Sequence, residues 1–145
     1  MARPTDQRRW GVLGLLVAGG VLAGCQQPTP GVTLQSGSRV VRSSATVYVR
    51  DGKQVNGSRA VKSLAVHPGA LVNIDVDRSL SKKGWSVHIT TGADSTSTLN
   101  SAVFRGKQHF SFSVGSENTD VVISEQGTGS TPGGLWAFTL QPSLQ

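Results

Sequence analysis

Beyond Cys25, no window of eleven or more residues keeps the apolar period of an amphipathic helix. Short stretches of alternating apolar and polar residues recur instead between clusters of Gly, Ser, Asn and Pro. A chain patterned this way buries its apolar atoms by laying strands side by side and packing one sheet face on another, because successive side chains of a strand point to opposite faces. The clearest predicted strands cover residues 45–50, 62–66, 70–77, 84–90, 109–114, 119–125 and 135–141, with a weaker one at 39–42. About seven to eight strands in roughly 105 residues suit an all-β, immunoglobulin-like two-sheet sandwich.

Alternation also assigns faces. Val47 and Val49, Leu64 and Val66, Val72, Ile74 and Val76, Trp85, Val87 and Ile89, Phe110, Phe112 and Val114, Val121 and Ile123, and Trp136, Phe138 and Leu140 are expected to point inward. Turn chemistry supports the boundaries: Asp51-Gly52 and Asn56-Gly57 supply the positive φ angles of tight hairpins, and Pro68-Gly69 turns the chain between two strands. Residues 91–100, rich in Ser and Thr, and 127–134, rich in Gly, are expected to be loops. Residues 78–83 suit a single helical turn or a crossover between sheets.

The first 24 residues follow a different pattern. Arg3, Arg8 and Arg9 precede an apolar run from Val12 to Leu22 that is too short to span a bilayer, and small residues follow it. This is the layout of a signal peptide. The tetrapeptide Leu22-Ala23-Gly24-Cys25, which contains the one cysteine of the chain, resembles the lipobox of bacterial lipoproteins. That resemblance implies cleavage before Cys25 and diacylglyceryl attachment to its thiol. One acyl chain holds a protein only marginally, at about 0.8 kcal/mol per buried methylene, whereas two or three on one residue anchor it stably. Arg8-Arg9-Trp10 lacks the surroundings of a twin-arginine signal, so general secretion is expected. The resulting organisation is a signal peptide at 1–24, a lipidated polar tether at 25–36 and the sandwich at 37–145, on the outer face of the cell membrane.

Cleavage would leave about 121 residues, enough for one domain with its own core. With Cys25 committed to lipid, no thiol remains for a disulfide, and stability must come from packing. The net charge of +6 is unevenly spread. From Cys25 to Lys83 there are nine Lys and Arg against three acids, and from Gly84 onward two against four. The basic residues are scattered without aromatic interleaving in an exported chain, which argues against nucleic acid. Anionic lipid, cell-wall polymer or an envelope protein is the expected partner, with the basic half turned toward the polyanion.

Candidate chemistry is sparse. His67, His88 and His109 are the available imidazoles, and residues 64–72 resemble the strand-turn-strand of copper-binding cupredoxins. A blue-copper site, however, needs a thiolate and usually an axial Met, and the chain after Cys25 has neither. Asp75 and Asp77, with Ser79 and Ser81, form an oxygen-rich alternation that lacks the Gly and bidentate Glu of a calcium loop. No Gly-x-Ser-x-Gly elbow or Ser-x-x-Lys start appears, and Gly127-Thr128-Gly129-Ser130 lacks the Lys of a phosphate loop. Trp85 and Trp136 share the apolar phase of their strands and are expected in the core. No catalytic, cofactor or metal residue is expected, and Cys25, as the lipid attachment, is the one site residue.

With the lipobox at 22–25, a Pro-turn-strand segment at 66–77 and the Gly-Trp-Ser-Val strand at 84–87, the chain resembles small actinobacterial cell-envelope lipoproteins of unknown function. That resemblance implies location and fold, and no activity. The expected function is a membrane-anchored, non-catalytic binding or scaffold module. The alternatives are a carrier of an apolar ligand such as lipid between the sheets and a cupredoxin-like metal-binding protein.

Overall fold

The computed structural model describes residues 28–57, 60–94 and 97–144; the expected signal peptide and the lipid-attachment residue Cys25 lie outside the described residues. The elements follow the order β1 (Gly31–Ser36), β2 (Arg39–Ser44), β3 (Val47–Arg50), β4 (Lys53–Asn56), β5 (Lys62–Val66), β6 (Leu71–Val76), α1 (Arg78–Lys83), β7 (Trp85–Thr91), β8 (Ser97–Asn100), β9 (His109–Ser113), β10 (Thr119–Glu125) and β11 (Gly134–Pro142). They build the expected all-β, two-sheet sandwich, with eleven strands among the described residues where seven to eight were expected. The smaller sheet has the order β2-β1-β6-β9, and the larger has the order β4-β3-β11-β10-β7-β8 with β5 added on β11.

Pairing is antiparallel except where β5 runs parallel to β11. The long strand β11 has one divided edge: Gly134 and Leu135 pair with β3, and Phe138 to Pro142 pair with β5. Its other edge carries β10 from Gly134 to Leu140. The turn His67-Pro68-Gly69-Ala70 takes the chain from β5 in the larger sheet to β6 in the smaller, with Gly69 at φ +79° and the Ala70 N–H donating to the His67 carbonyl at 3.0 Å. This Pro-Gly turn therefore joins the layers instead of closing a hairpin.

Between the sheets lie the fully buried side chains of Val32, Leu34, Val72 and Ile74 from the smaller sheet and Val121, Ile123, Trp136, Phe138 and Leu140 from the larger. Each such side chain is worth about 1.5–3 kcal/mol relative to exposure. Trp85 and Trp136 are both fully buried, as their phase predicts, while Phe110 and Phe112 are half-buried at the margin of the core.

Several expectations need correction. Residues 31–36, assigned to the polar tether, form β1, which pairs with both β2 and β6 and buries Val32 and Leu34 completely; the sandwich begins at Gly31, not at residue 37. Val47 and Val49 are half-buried, and Tyr48 between them is the inward residue. The reason is the passage from the smaller sheet to the larger between Ser44 and Val47, which restarts the alternation: Ser43 and Ala45 are buried, then Tyr48. Asp51 and Gly52, at φ 51° and 71°, form the tight turn between β3 and β4. Gly57 has no positive φ; its N–H donates to the Thr46 carbonyl at 3.3 Å, so Asn56-Gly57 ends β4 without turning a hairpin. Within 91–100, Ser97 to Asn100 form the exposed edge strand β8. Threonine's fit to a pleated surface allows a strand there without an apolar face.

Candidate functional site

The strand registers place one set of loops at a single end of the sandwich. β1 starts there, β6 ends there, and α1 carries the chain from β6 straight to the start of β7, so the two layers share this end. Glu125 at the end of β10 pairs with Trp85 and with Gly134, which brings in the 126–133 loop, and the Asp51-Gly52 tip lies beyond Tyr48. Pro28 and Pro30 border the same end, together with Tyr48, Arg50 and Lys83.

At its centre, Lys83 Nζ donates to Glu125 Oε1 at 2.9 Å and to the Tyr48 hydroxyl at 2.8 Å. Glu125 is 3% exposed, whereas the Lys83 side chain is 49% exposed, so one partner is inside and the other spans the boundary. Tyr48 meets Trp136 edge-on at 6.3 Å between ring centroids. Partial burial pulls the Lys83 ammonium toward its neutral form, but the hydrogen bonds to Tyr48 and Glu125 and the attraction of the carboxylate outweigh it, and its pKa lies above the ordinary 10.5. Glu125 Oε2 is buried with no hydrogen-bond partner among the described residues. Two open depressions flank Lys83. One, of about 480 Å³, is bounded by Val49, Arg105, Gln126 and Pro132; the other, of about 460 Å³, by Pro28, Pro30, Arg50 and Ser79. Both are open to solvent and have mixed polar and apolar walls, suited to contact with a surface more than to enclosing a ligand.

The entry of the chain is clamped at this end. The Gly31 N–H donates to Asp77 Oδ2 at 2.6 Å, the Asp77 N–H donates to the Gly31 carbonyl at 3.2 Å, and Arg42 Nη2 bonds the same carboxylate at 2.9 Å. The Arg42 guanidinium lies over the Cα of Gly31, and a larger residue there would have to displace the end of that exposed side chain. Trp136 Nε1 donates to the Pro30 carbonyl at 2.9 Å, tying the incoming chain to the core of the larger sheet.

The three histidines stand on different elements with separate partners. His67 Nδ1 meets the Ser143 carbonyl at 2.9 Å, His88 bonds Asn100, and His109 Nδ1 meets Asp75 Oδ1 at 2.9 Å. No group of three His, Cys, Asp or Glu that could hold a metal ion occurs among the described residues. His109 Nε2 also lies 2.9 Å from Ser111 Oγ, so Ser111, His109 and Asp75 share the atom order of a hydrolase relay. Their setting differs from one. His109 and Asp75 are more than half exposed on the outer face of the smaller sheet, and Ser111 Oγ is also 2.8 Å from Asn73 Oδ1. This is a cross-strand polar ladder fixed by the β6–β9 register.

Tyr48, Lys83 and Glu125 were not singled out from the sequence. Glu125 carried a signal: it shares the phase of Val121 and Ile123, which puts a carboxylate on the buried face of β10 and requires a buried partner. No helix among the described residues is long and apolar enough to cross a membrane. No family model matches the chain, and no curated protein matches it.

Proposed function

We propose that the chain is an exported lipoprotein, anchored by diacylglyceryl on Cys25 to the outer face of the cell membrane, whose sandwich is a non-catalytic binding or scaffold module. The observation that carries this reading is the lone cysteine closing Leu22-Ala23-Gly24-Cys25 behind a basic and apolar leader, a short step before the first strand at Gly31. Fully buried large side chains from both sheets meet between the layers, which favours a binding or scaffold module over a carrier with an apolar ligand inside. The partner is an anionic lipid, a wall polymer or an envelope protein.

Intact mass and detergent-phase partition of the protein from membranes test the reading. The expected product starts at residue 25, carries the mass of a diacylglyceryl group and enters the detergent phase, and Cys25→Ser abolishes both. An unmodified chain retaining Met1 would overturn it.

A further inference from the structure

The charge asymmetry of the sequence becomes a different asymmetry in space. Along the chain the basic residues concentrate before Gly84; in space most of the described ones gather at one end of the sandwich. Arg78, Lys82 and Lys83 lie on α1, Arg50 and Lys53 flank the Asp51-Gly52 tip, and Arg105 and Lys107 come from the acidic half of the sequence to join them. The link is direct: Arg105 Nη1 donates to the Lys83 carbonyl at 3.0 Å, the Gly106 N–H to the Ser81 carbonyl at 2.9 Å, and Trp85 Nε1 to the Lys107 carbonyl at 2.7 Å. Lys53, Arg78, Lys82, Arg105 and Lys107 are exposed. Of the carboxylates at this end, Glu125 is buried against Lys83 and Asp77 is held by Arg42 and the Gly31 N–H, which leaves Asp51 on the tip and Asp75 beside His109. The opposite end carries Asp94, Glu117 and Asp120 against the one basic residue Arg39 among the described residues.

The incoming chain enters at the basic end, through Pro28 and Pro30. From Cys25 to Pro28 it reaches at most about 11 Å. The potential of an anionic membrane decays over about 8 Å at physiological ionic strength. Resting on the Cys25 anchor proposed above, we propose that this end of the sandwich, formed by α1, the 104–108 loop and the Asp51-Gly52 tip, docks on anionic lipid headgroups and orients the domain with its acidic end outward. The occupant is lipid because the same end carries both the positive charge and the short connection to the acylated residue. Each basic residue near such a surface is worth roughly fivefold in partition, so several together hold one orientation.

The test uses the acylated protein on vesicles of phosphatidylcholine alone and of phosphatidylcholine with phosphatidylglycerol, with hydrogen exchange as the readout. Residues 78–83 and 104–108 should exchange at least fivefold more slowly on the anionic vesicles at low salt, lose that protection at high salt, and lose it with Arg78→Glu plus Lys82→Glu. Arg39→Glu plus Lys62→Glu, the same charge change away from this end, should retain it, and residues 115–118 should be unaffected by lipid. Equal exchange on both vesicles, or protection centred on 115–118, overturns the docking. So does protection by soluble poly(glycerol phosphate) without protection by anionic vesicles, which would assign the surface to wall polymer. Failure of the protein to float with either vesicle is a failure of the anchor instead, and flotation with both reports the anchor independently of docking.

Discussion

At the end of the sandwich where the chain enters, polar side chains cross between elements: Trp136 to the Pro30 carbonyl, Trp85 to the Lys107 carbonyl, Lys83 to Tyr48 and Glu125, and Arg42 to Asp77. At the opposite end, among the described residues, the corresponding bonds are fewer and involve hydroxyls or exposed groups, such as Ser36 Oγ to the Leu71 carbonyl and Arg39 to the Ala65 carbonyl. Apolar packing runs through the middle and serves both ends alike. The difference shows where rigidity beyond core packing is concentrated: both indole N–H groups bond loop or entry backbone at the basic end, and one buried carboxylate is held by a lysine that reaches in from solvent. Such bonds orient segments that hydrophobic burial, being non-directional, cannot orient.

The sharpest way to break that contrast is Trp85→Ala, which removes a fully buried ring and the indole bond to the Lys107 carbonyl. It should cost about 3–5 kcal/mol in urea denaturation. A variant melting with the parent would remove Trp85 from the structural role assigned to it. Next is Lys83→Met, which strands Glu125 in the interior. A fully buried pair broken this way costs about 3–5 kcal/mol, and because Lys83 is half in solvent the expected loss is nearer 2 kcal/mol. Glu125→Gln, which removes the buried charge itself, should cost less than Lys83→Met; the reverse order would mean that the carboxylate, not its isolation, sets the energetics.

The same pair gives a pH signature. Because the folded pKa of Lys83 is raised, its contribution is whole below the unfolded value near 10.5 and is lost as pH climbs through the higher folded value. Melting curves of parent and Lys83→Met should stay a constant distance apart at neutral and mildly alkaline pH and converge above 10.5. Convergence on acidification alone would contradict the sign. Tyr48→Phe, deleting one hydrogen bond to an ammonium, should cost about 1 kcal/mol. Smallest is Asp75→Asn on the exposed ladder, at about 0.5 kcal/mol or less by the same denaturation. A loss above 2 kcal/mol there would show that the ladder is more than a solvated face.

Strict alternation between turn signals made β5 and β10 legible to the residue, and it put Trp85 and Trp136 inside. β1 was hidden because it has only Val32 and Leu34 for apolar residues and follows Pro-Thr-Pro, yet it lies between two strands; its neighbours supply the pairing that its own composition does not announce. β8 has no buried face to leave a pattern. Tyr48 was hidden by the sheet change before β3, which no local period records. In the site, the buried phase of Glu125 was visible in the sequence, whereas the arrival of Lys83 depends on α1 crossing between layers, and the meeting of His109 with Asp75 depends on the register of β9 against β6. The basic end is the clearest case: residues 105 and 107 join 78–83 through the fold, so a division of charge along the chain misplaces them.

Cys25 is the one cysteine of the chain, and in the lipoprotein proposed above its thiol is taken up by lipid, so a single introduced cysteine can carry a spin label without competition. With Ser79→Cys on α1 and Ser116→Cys at the opposite end, each on the acylated protein in anionic vesicles, relaxation by a lipid-bound paramagnet measures which end faces the membrane. The label at 79 should be strongly relaxed and the label at 116 should not. Equal relaxation of the two, or the reverse order, would contradict a sandwich held with its basic end on the membrane.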